Sequence, residues 1–243
     1  MVRLLLTTAS LLLALPAIAG FCPDQPASAA WGLSYQIDNN GQPSGTLEIL
    51  RHGSDTALYN PDRQIGEWWL LADAKRPRFH RLFGEQQRRI DYTTGDLRAL
   101  GVNVNFDSIE RFAMAPLLGR LKAGEPLANC PAARHYSGEI NGRHYQIHWH
   151  PEFKLPLLLE IGKGEQRRRW QATAMLDAAT VDGRFGQWQQ FRPTDFADIG
   201  DMETDPFLAK LITQGFVEHA HPTAYHSDGS VISSNADHAG HAH

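Results

Sequence analysis

Between Trp31 and Tyr92 the chain never holds one apolar pattern long enough for a helix. The runs "WGLSYQI", "GTLEILRHG", "TALYN", "EWWLLAD", "RFHRLF" and "RRIDYT" alternate apolar with polar residues. Groups rich in Gly, Asn, Asp or Pro cut them off: "NNGQPSG", "HGSD", "NPD" and "ADAKRP". Alternation puts successive side chains on opposite faces of a strand, and short connections built from turn residues join antiparallel neighbours. An antiparallel meander is therefore predicted here. Strands return in "RHYSGEI", "RHYQIHWH", "LPLLLEIG" and "RRRWQATAML".

Two stretches break the alternation. In "FDSIERFAMAPLLGRLKAG", Ile109, Phe112, Leu117, Leu118 and Leu121 follow helical spacing after a cap at Asp107 or Ser108, and Pro116 is expected to divide it into two short helices. In "TDPFLAKLITQGF", Asp205 caps and Pro206 suits the first helical position. Phe207, Leu208, Leu211 and Ile212 form the apolar face, and Gly215 suits the stop. The fold class expected is α+β, mainly antiparallel β.

The opening residues, "MVRLLLTTASLLLALPAIAG", join one early cation, Arg3, to an apolar stretch too short to span a bilayer, with small residues at Ala17 and Ala19. This is the pattern of an export signal, expected at residues 1–19. Phe21, not a small residue, precedes Cys22, so a lipid-anchor signal is not indicated. A soluble periplasmic or secreted protein is expected, with residues 20–217 as one globular domain and residues 218–243 as a flexible histidine-rich tail. With 23 basic and 27 acidic residues the chain carries a formal charge of −4, which argues against the basic surface of a nucleic-acid-binding domain. Cys22 and Cys130 would meet an oxidising compartment, where a disulfide between them is the leading expectation.

The most specific local signal is Asn141-Gly142 in "SGEINGRHYQIHWHPEF", since that dipeptide between alternating runs marks a two-residue hairpin and sets its register. Ile140 then faces Arg143, Glu139 faces His144, Tyr136 faces Ile147 and His135 faces His148. Opposed side chains start about 5 Å apart at Cβ, and His150 lies two residues beyond His148 on the same predicted face. His135, His148 and His150 are thus candidates to share a zinc or copper ion, while His144 is set aside with Glu139. The alternative is the wet side of a half-exposed hairpin. His219, His221, His238, His241 and His243 in the tail are further candidates for loose metal binding. No cofactor is required by any motif, and no nucleophile constellation, phosphate loop or His-Glu-x-x-His stands out.

Other residues suggest contact surfaces. The run Arg167 to Arg169 reads as the exposed end of a strand, with contact to an anionic lipid headgroup or a partner as the functional alternative, and that reading admits peripheral membrane contact. Trp68 and Trp69 must point to opposite faces of their strand, so one of them is expected to face a concave hollow or solvent.

Meandering strands, then short helices between Asp107 and Lys122, then more strands: this order resembles the periplasmic lipoprotein-carrier (LolA/LolB-like) fold. The segment "RFHRLFGEQQRRIDYTTGDL" is similar in style to that family's hairpins. The resemblance implies a curved open sheet or half-barrel with short covering helices, whose apolar concave face holds acyl chains. It also implies that Trp68 or Trp69, with Phe112, Leu117 and Leu118, lines the ligand. The function expected is therefore an exported, non-catalytic binding or carrier protein for a hydrophobic or lipidic ligand, with periplasmic zinc or copper binding as the alternative. The oligomeric state is left open.

Overall fold

The computed structural model describes residues 21–26, 28–73, 76–102, 114–202 and 204–213. The expected export signal, Phe112, the helix caps at Asp107 and Ser108, Gly215 and every histidine of the tail lie outside the described residues.

Among the described residues, twelve strands form one sheet. They are β1 (Ala30–Asn39), β2 (Gln42–His52), β3 (Asp55–Asn60), β4 (Ile65–Leu70), β5 (Arg78–Phe83), β6 (Arg88–Tyr92), β7 (Lys122–Leu127), β8 (Cys130–Ile140), β9 (Arg143–His150), β10 (Leu155–Lys163), β11 (Gln166–Leu176) and β12 (Arg192–Asp195). Their order across the sheet is β12-β6-β5-β4-β3-β2-β1-β11-β10-β9-β8-β7, so two meanders run outward from a central β1–β11 seam. All pairings are antiparallel except the parallel β12–β6 pair at one edge. The sheet is open, with β7 at its other edge. The predicted meander from Trp31 to Tyr92 is present as β1 to β6. Neither β7 nor β12 was expected, because "KAGEPL" and "RPTD" carry prolines, which argue against a strand except at an edge, a strand start or a bulge; both lie at the edges of the sheet.

Register carries one continuous face from β1 through Ile49, Leu58, Glu67, Arg81 and Ile90, with Trp69, Phe79 and Tyr92 in the neighbouring row. The opposite face presents Leu50, Ala57, Trp68 and His80. Short helices cover both: α1 (Thr94–Ala99), α2 (Met114–Leu118), α3 (Ala178–Gln189) and α4 (Pro206–Thr213), with a 3-10 turn at Phe196–Asp201.

α3 was not expected, since Gly183 and Gly186 lower its intrinsic propensity by roughly 1 kcal/mol each. Packing supplies the difference. Asp177 caps it by accepting from the Thr180 amide at 2.8 Å, and Val181, Phe185 and Trp188 recur at helical spacing to pack on Leu50, Ala57, Tyr59, Trp68 and Leu82. On the other face α1, the 3-10 turn and α4 bring Leu97, Ile199, Leu208 and Leu211 onto Trp69, Phe79, Phe83, Ile90 and Tyr92. α1 begins with a reciprocal cap between Thr93 and Asp96, a pattern present in "TTGD".

These helices correct the expected placement of the tryptophans. Trp68 is 5% exposed beneath α3, its indole Nε1 donating to Asp55 at 3.0 Å, and Trp69 is 2% exposed on the opposite face against Phe79. Neither faces solvent or a hollow, because each side of β4 carries its own helical cover. Pro116 lies within α2, and the residues before Met114 that would show whether it divides the stretch lie outside the described residues. One helix expectation shifts. Ile212 is exposed, so the buried face of α4 narrows to Leu208 and Leu211.

Arg88 fastens α4 to the sheet edge. Its guanidinium donates to Asp205 at 2.5 Å and to Thr194 of β12 at 3.0 Å, and it stacks over the Phe207 ring at 4.5 Å. Asp205 thus does more than cap α4. Arg88 holds its carboxyl below the usual range, against a smaller opposing effect of burial. Cys22 and Cys130 are disulfide-bonded with their Cα atoms 5.2 Å apart, tying the segment before β1 to the start of β8.

Candidate functional site

The hairpin forms with the register its turn predicts: Ile140 opposite Arg143, Glu139 opposite His144, Tyr136 opposite Ile147 and His135 opposite His148. Asn141 and Gly142 both have positive φ, 54° and 72°, which this turn requires and which Asn and Gly tolerate best. Glu139 and the largely exposed His144 approach to 3.7 Å, so His144 stands apart from the other histidines as expected.

The imidazoles of His135 and His148 meet edge to face, their centroids 5.5 Å apart. Burial lowers the His148 pKa, and the nearby His135 and Arg169 lower it further. His150 is placed differently. Only 2% exposed, it stacks on Phe153 at 4.2 Å with its ring nearly parallel, and burial lowers its pKa against a weaker opposing pull from Glu152. β9 ends at His150 and the turn that follows folds Phe153 back onto it. Among the described residues no three His, Cys, Asp or Glu side chains are grouped to hold one metal ion. The structure therefore brings His135 and His148 together and spends His150 on an aromatic stack.

The apolar surface is larger than the histidine site. On one face of the sheet, Leu33, Tyr35, Leu47 and Ile49 join Tyr145, Ile147, Trp149, Leu155, Leu157, Leu159, Ile161 and Trp170 in a single buried cluster. Tyr35 reaches past β11 to donate to the Pro156 carbonyl at 2.9 Å, and burial raises its pKa far above the usual phenol value. Met114 of α2 belongs to the cluster, and Leu117 and Leu118 pack against it half-buried. Of the ligand-lining candidates, then, Leu117 and Leu118 meet this face, while Trp68 and Trp69 are enclosed in two other clusters.

Two clefts are lined mainly by polar and charged residues instead. One of about 570 Å³ is lined by Asp73, Thr93, Thr94 and the arginines 76, 78 and 98. Another, of about 330 Å³, lies among the turn ends of three neighbouring hairpins and is lined by Asn39, Arg143, Lys163, Arg167 and Arg168. The second was only partly legible in sequence. "RRR" marks Arg167 and Arg168, but Arg143 and Lys163 join them through the β9–β10–β11 registers.

No family model matches the chain, and no curated protein matches it. Solved structures show partial likeness. One, described as PNGF-II, overlaps 69% of this chain and 31% of its own at 10% identity and a TM-score of 0.40. The MucA/MucB complex of Pseudomonas aeruginosa overlaps 60% of this chain and 51% of its own at 16% identity and a TM-score of 0.31. A structure of MucB overlaps 63% and 54% at 12% identity and a TM-score of 0.30. The chain spans about a third to a half of the length of these structures. The likeness is one of weak architecture and does not extend to a ligand or an activity.

Proposed function

We propose that the protein is an exported, non-catalytic binding or carrier protein for a hydrophobic or lipidic ligand, held on the apolar sheet face that spans β1–β3 and β7–β11. One observation carries this reading. Among the described helices α2 alone lies against that large cluster, with Met114 buried in it and Leu117 and Leu118 only half-buried. Those apolar side chains hold α2 to the sheet. An acyl chain offers the same kind of contact and takes the place of Met114, Leu117 and Leu118 as α2 lifts. The disulfide fits an oxidising compartment, and no described helix is long and apolar enough to cross a membrane.

The test is organic extraction and native mass spectrometry of the purified protein, followed by titration with an apolar fluorescent dye. Bound lipid, or dye uptake that Leu117→Asp/Leu118→Asp changes, supports the reading. Protein that emerges empty and takes up no dye sinks it.

Periplasmic zinc or copper binding is retained as a second reading because His135 and His148 face each other across the hairpin. Two imidazoles supply half of a four-coordinate shell, leaving exogenous ligands or tail histidines to complete it. Zinc and copper affinities of the full chain and of His135→Ala/His148→Ala decide it; equal affinities would leave the hairpin a wet surface.

A further inference from the structure

The cleft among the hairpin ends is not an arbitrary patch of surface cations. Following the alternation along each strand, Trp170 and Arg168 share a face of β11, Ile161 and Lys163 share that face of β10, and Tyr145 and Arg143 share it on β9. This is the face that carries the apolar cluster, because Trp170, Ile161 and Tyr145 all belong to it. The apolar surface therefore ends in a cationic rim, and Ile161, only 4% exposed, belongs to the cluster and lines the cleft as well.

The rim is built to accept a negative group. Arg168 donates through Nε to the Asn39 side chain at 2.8 Å, which holds the plane of its guanidinium. Asn40 is itself clamped to β11 by two bonds, its amide to the Arg167 carbonyl at 2.6 Å and its side chain from the Arg167 amide at 2.7 Å. Lys163 is exposed at the start of the Gly164 turn, and among the described residues no carboxylate lines the cleft. Arg167 leans toward Glu160 at 3.7 Å, so Arg168 and Lys163 are the groups best placed to face a ligand. A chain whose formal charge is −4 has concentrated cations at one end of its apolar face. A fixed guanidinium plane beside an ammonium suits the oxygens of a phosphate group.

We infer that this rim is an anion site for a phosphate-bearing group, positioned to hold the headgroup of an amphiphile whose apolar part lies on the adjoining sheet face. The headgroup assignment rests on the apolar-ligand reading above; the anion site itself does not. The size of the cleft, about 330 Å³, accommodates a headgroup or a free polyphosphate, and the two sources are separated by experiment.

Full-length protein is titrated with inorganic pyrophosphate by calorimetry. In parallel it is mixed with vesicles of phosphatidylcholine alone and of phosphatidylcholine with phosphatidylglycerol. The variants are Arg168→Gln and Lys163→Gln, the latter at an exposed turn position where loss of folding is not expected. Apolar-dye uptake and thermal unfolding are followed on every sample. Selective binding of phosphatidylglycerol vesicles, weakened about tenfold by either substitution with dye uptake retained, supports a headgroup site. Binding of pyrophosphate alone, weakened in the same way, supports a site for a free anion and removes the headgroup assignment. If dye uptake is absent while either anion binds through these residues, the apolar reading fails and the rim stands. Binding of neither anion, or equal binding by the folded variants, overturns the anion site.

Discussion

Replacing both cysteines, Cys22→Ala with Cys130→Ala, tests how the segment before β1 is held. The bond joins residues 108 apart in sequence, and in the chain-entropy treatment a loop of that length removes about 4.8 kcal/mol of freedom from the unfolded chain. Phe21 packs against the large apolar cluster, and Cys130 has no exposed surface, so the double variant also loosens native packing at the start of β8. Urea unfolding of oxidised wild type and variant should show the variant losing about 3–5 kcal/mol, a large share of a typical domain's stability. Most of that loss is in the unfolded state, so the urea dependence should steepen as the uncrosslinked chain exposes more surface. A loss under about 1 kcal/mol with an unchanged slope would refute the loop argument.

Acid should weaken the fold in two steps. His148 and His150 have pKa values lowered in the folded state, so below about pH 6.5 the unfolded chain takes protons that the folded chain refuses. Stability is then lost until pH passes below the folded values, and His148→Gln/His150→Gln should flatten this step in a series of melting curves. Asp205 and Asp91 act lower down: Arg88 lowers the former, while His80 and Arg89 outweigh the burial that raises the latter, so their contribution is present above the ordinary carboxylate range and fades as pH falls through their lowered values. Truncating Phe185 to Ala should cost about 3–5 kcal/mol, because its ring is fully buried against Trp68 and Trp188. Arg88→Met keeps much of the stem but leaves Asp205 unpaired; hydrogen exchange should rise selectively across α4 and β12, and uniform exchange would contradict the staple.

Features governed by neighbouring residues were legible in the sequence. The Asn141-Gly142 turn dictated four cross-strand pairs, including His135 with His148, because positive φ at both positions admits few conformations. Asp205 and Pro206 marked the start of α4 for the same local reason. What covers each face was not local. Alternation separates Trp68 from Trp69, but nothing in "EWWLL" says that a glycine-bearing helix more than a hundred residues later will close over one of them. β12 depends on a parallel partner and on Arg88, neither visible in "RPTD". His150 lay on the predicted metal face, yet its stack with Phe153 depends on how the turn after Pro151 folds back. The cationic rim is set by three neighbouring hairpin registers and is local to none of them.

The central seam has a consequence for how the chain reaches this state. Each meander can zip by short-range hairpins, whereas β1 must wait for β11, which puts Gly32 opposite Leu176. Closing a loop of that length before its contacts are gained makes the seam a natural slow step. In a chain emerging N-terminus first, the first meander would exist for a time with the outer side of β1 unpaired. That bare edge is the part of the molecule most open to pairing with another chain, so the yield of folded protein should fall with concentration during refolding even if the finished fold is stable.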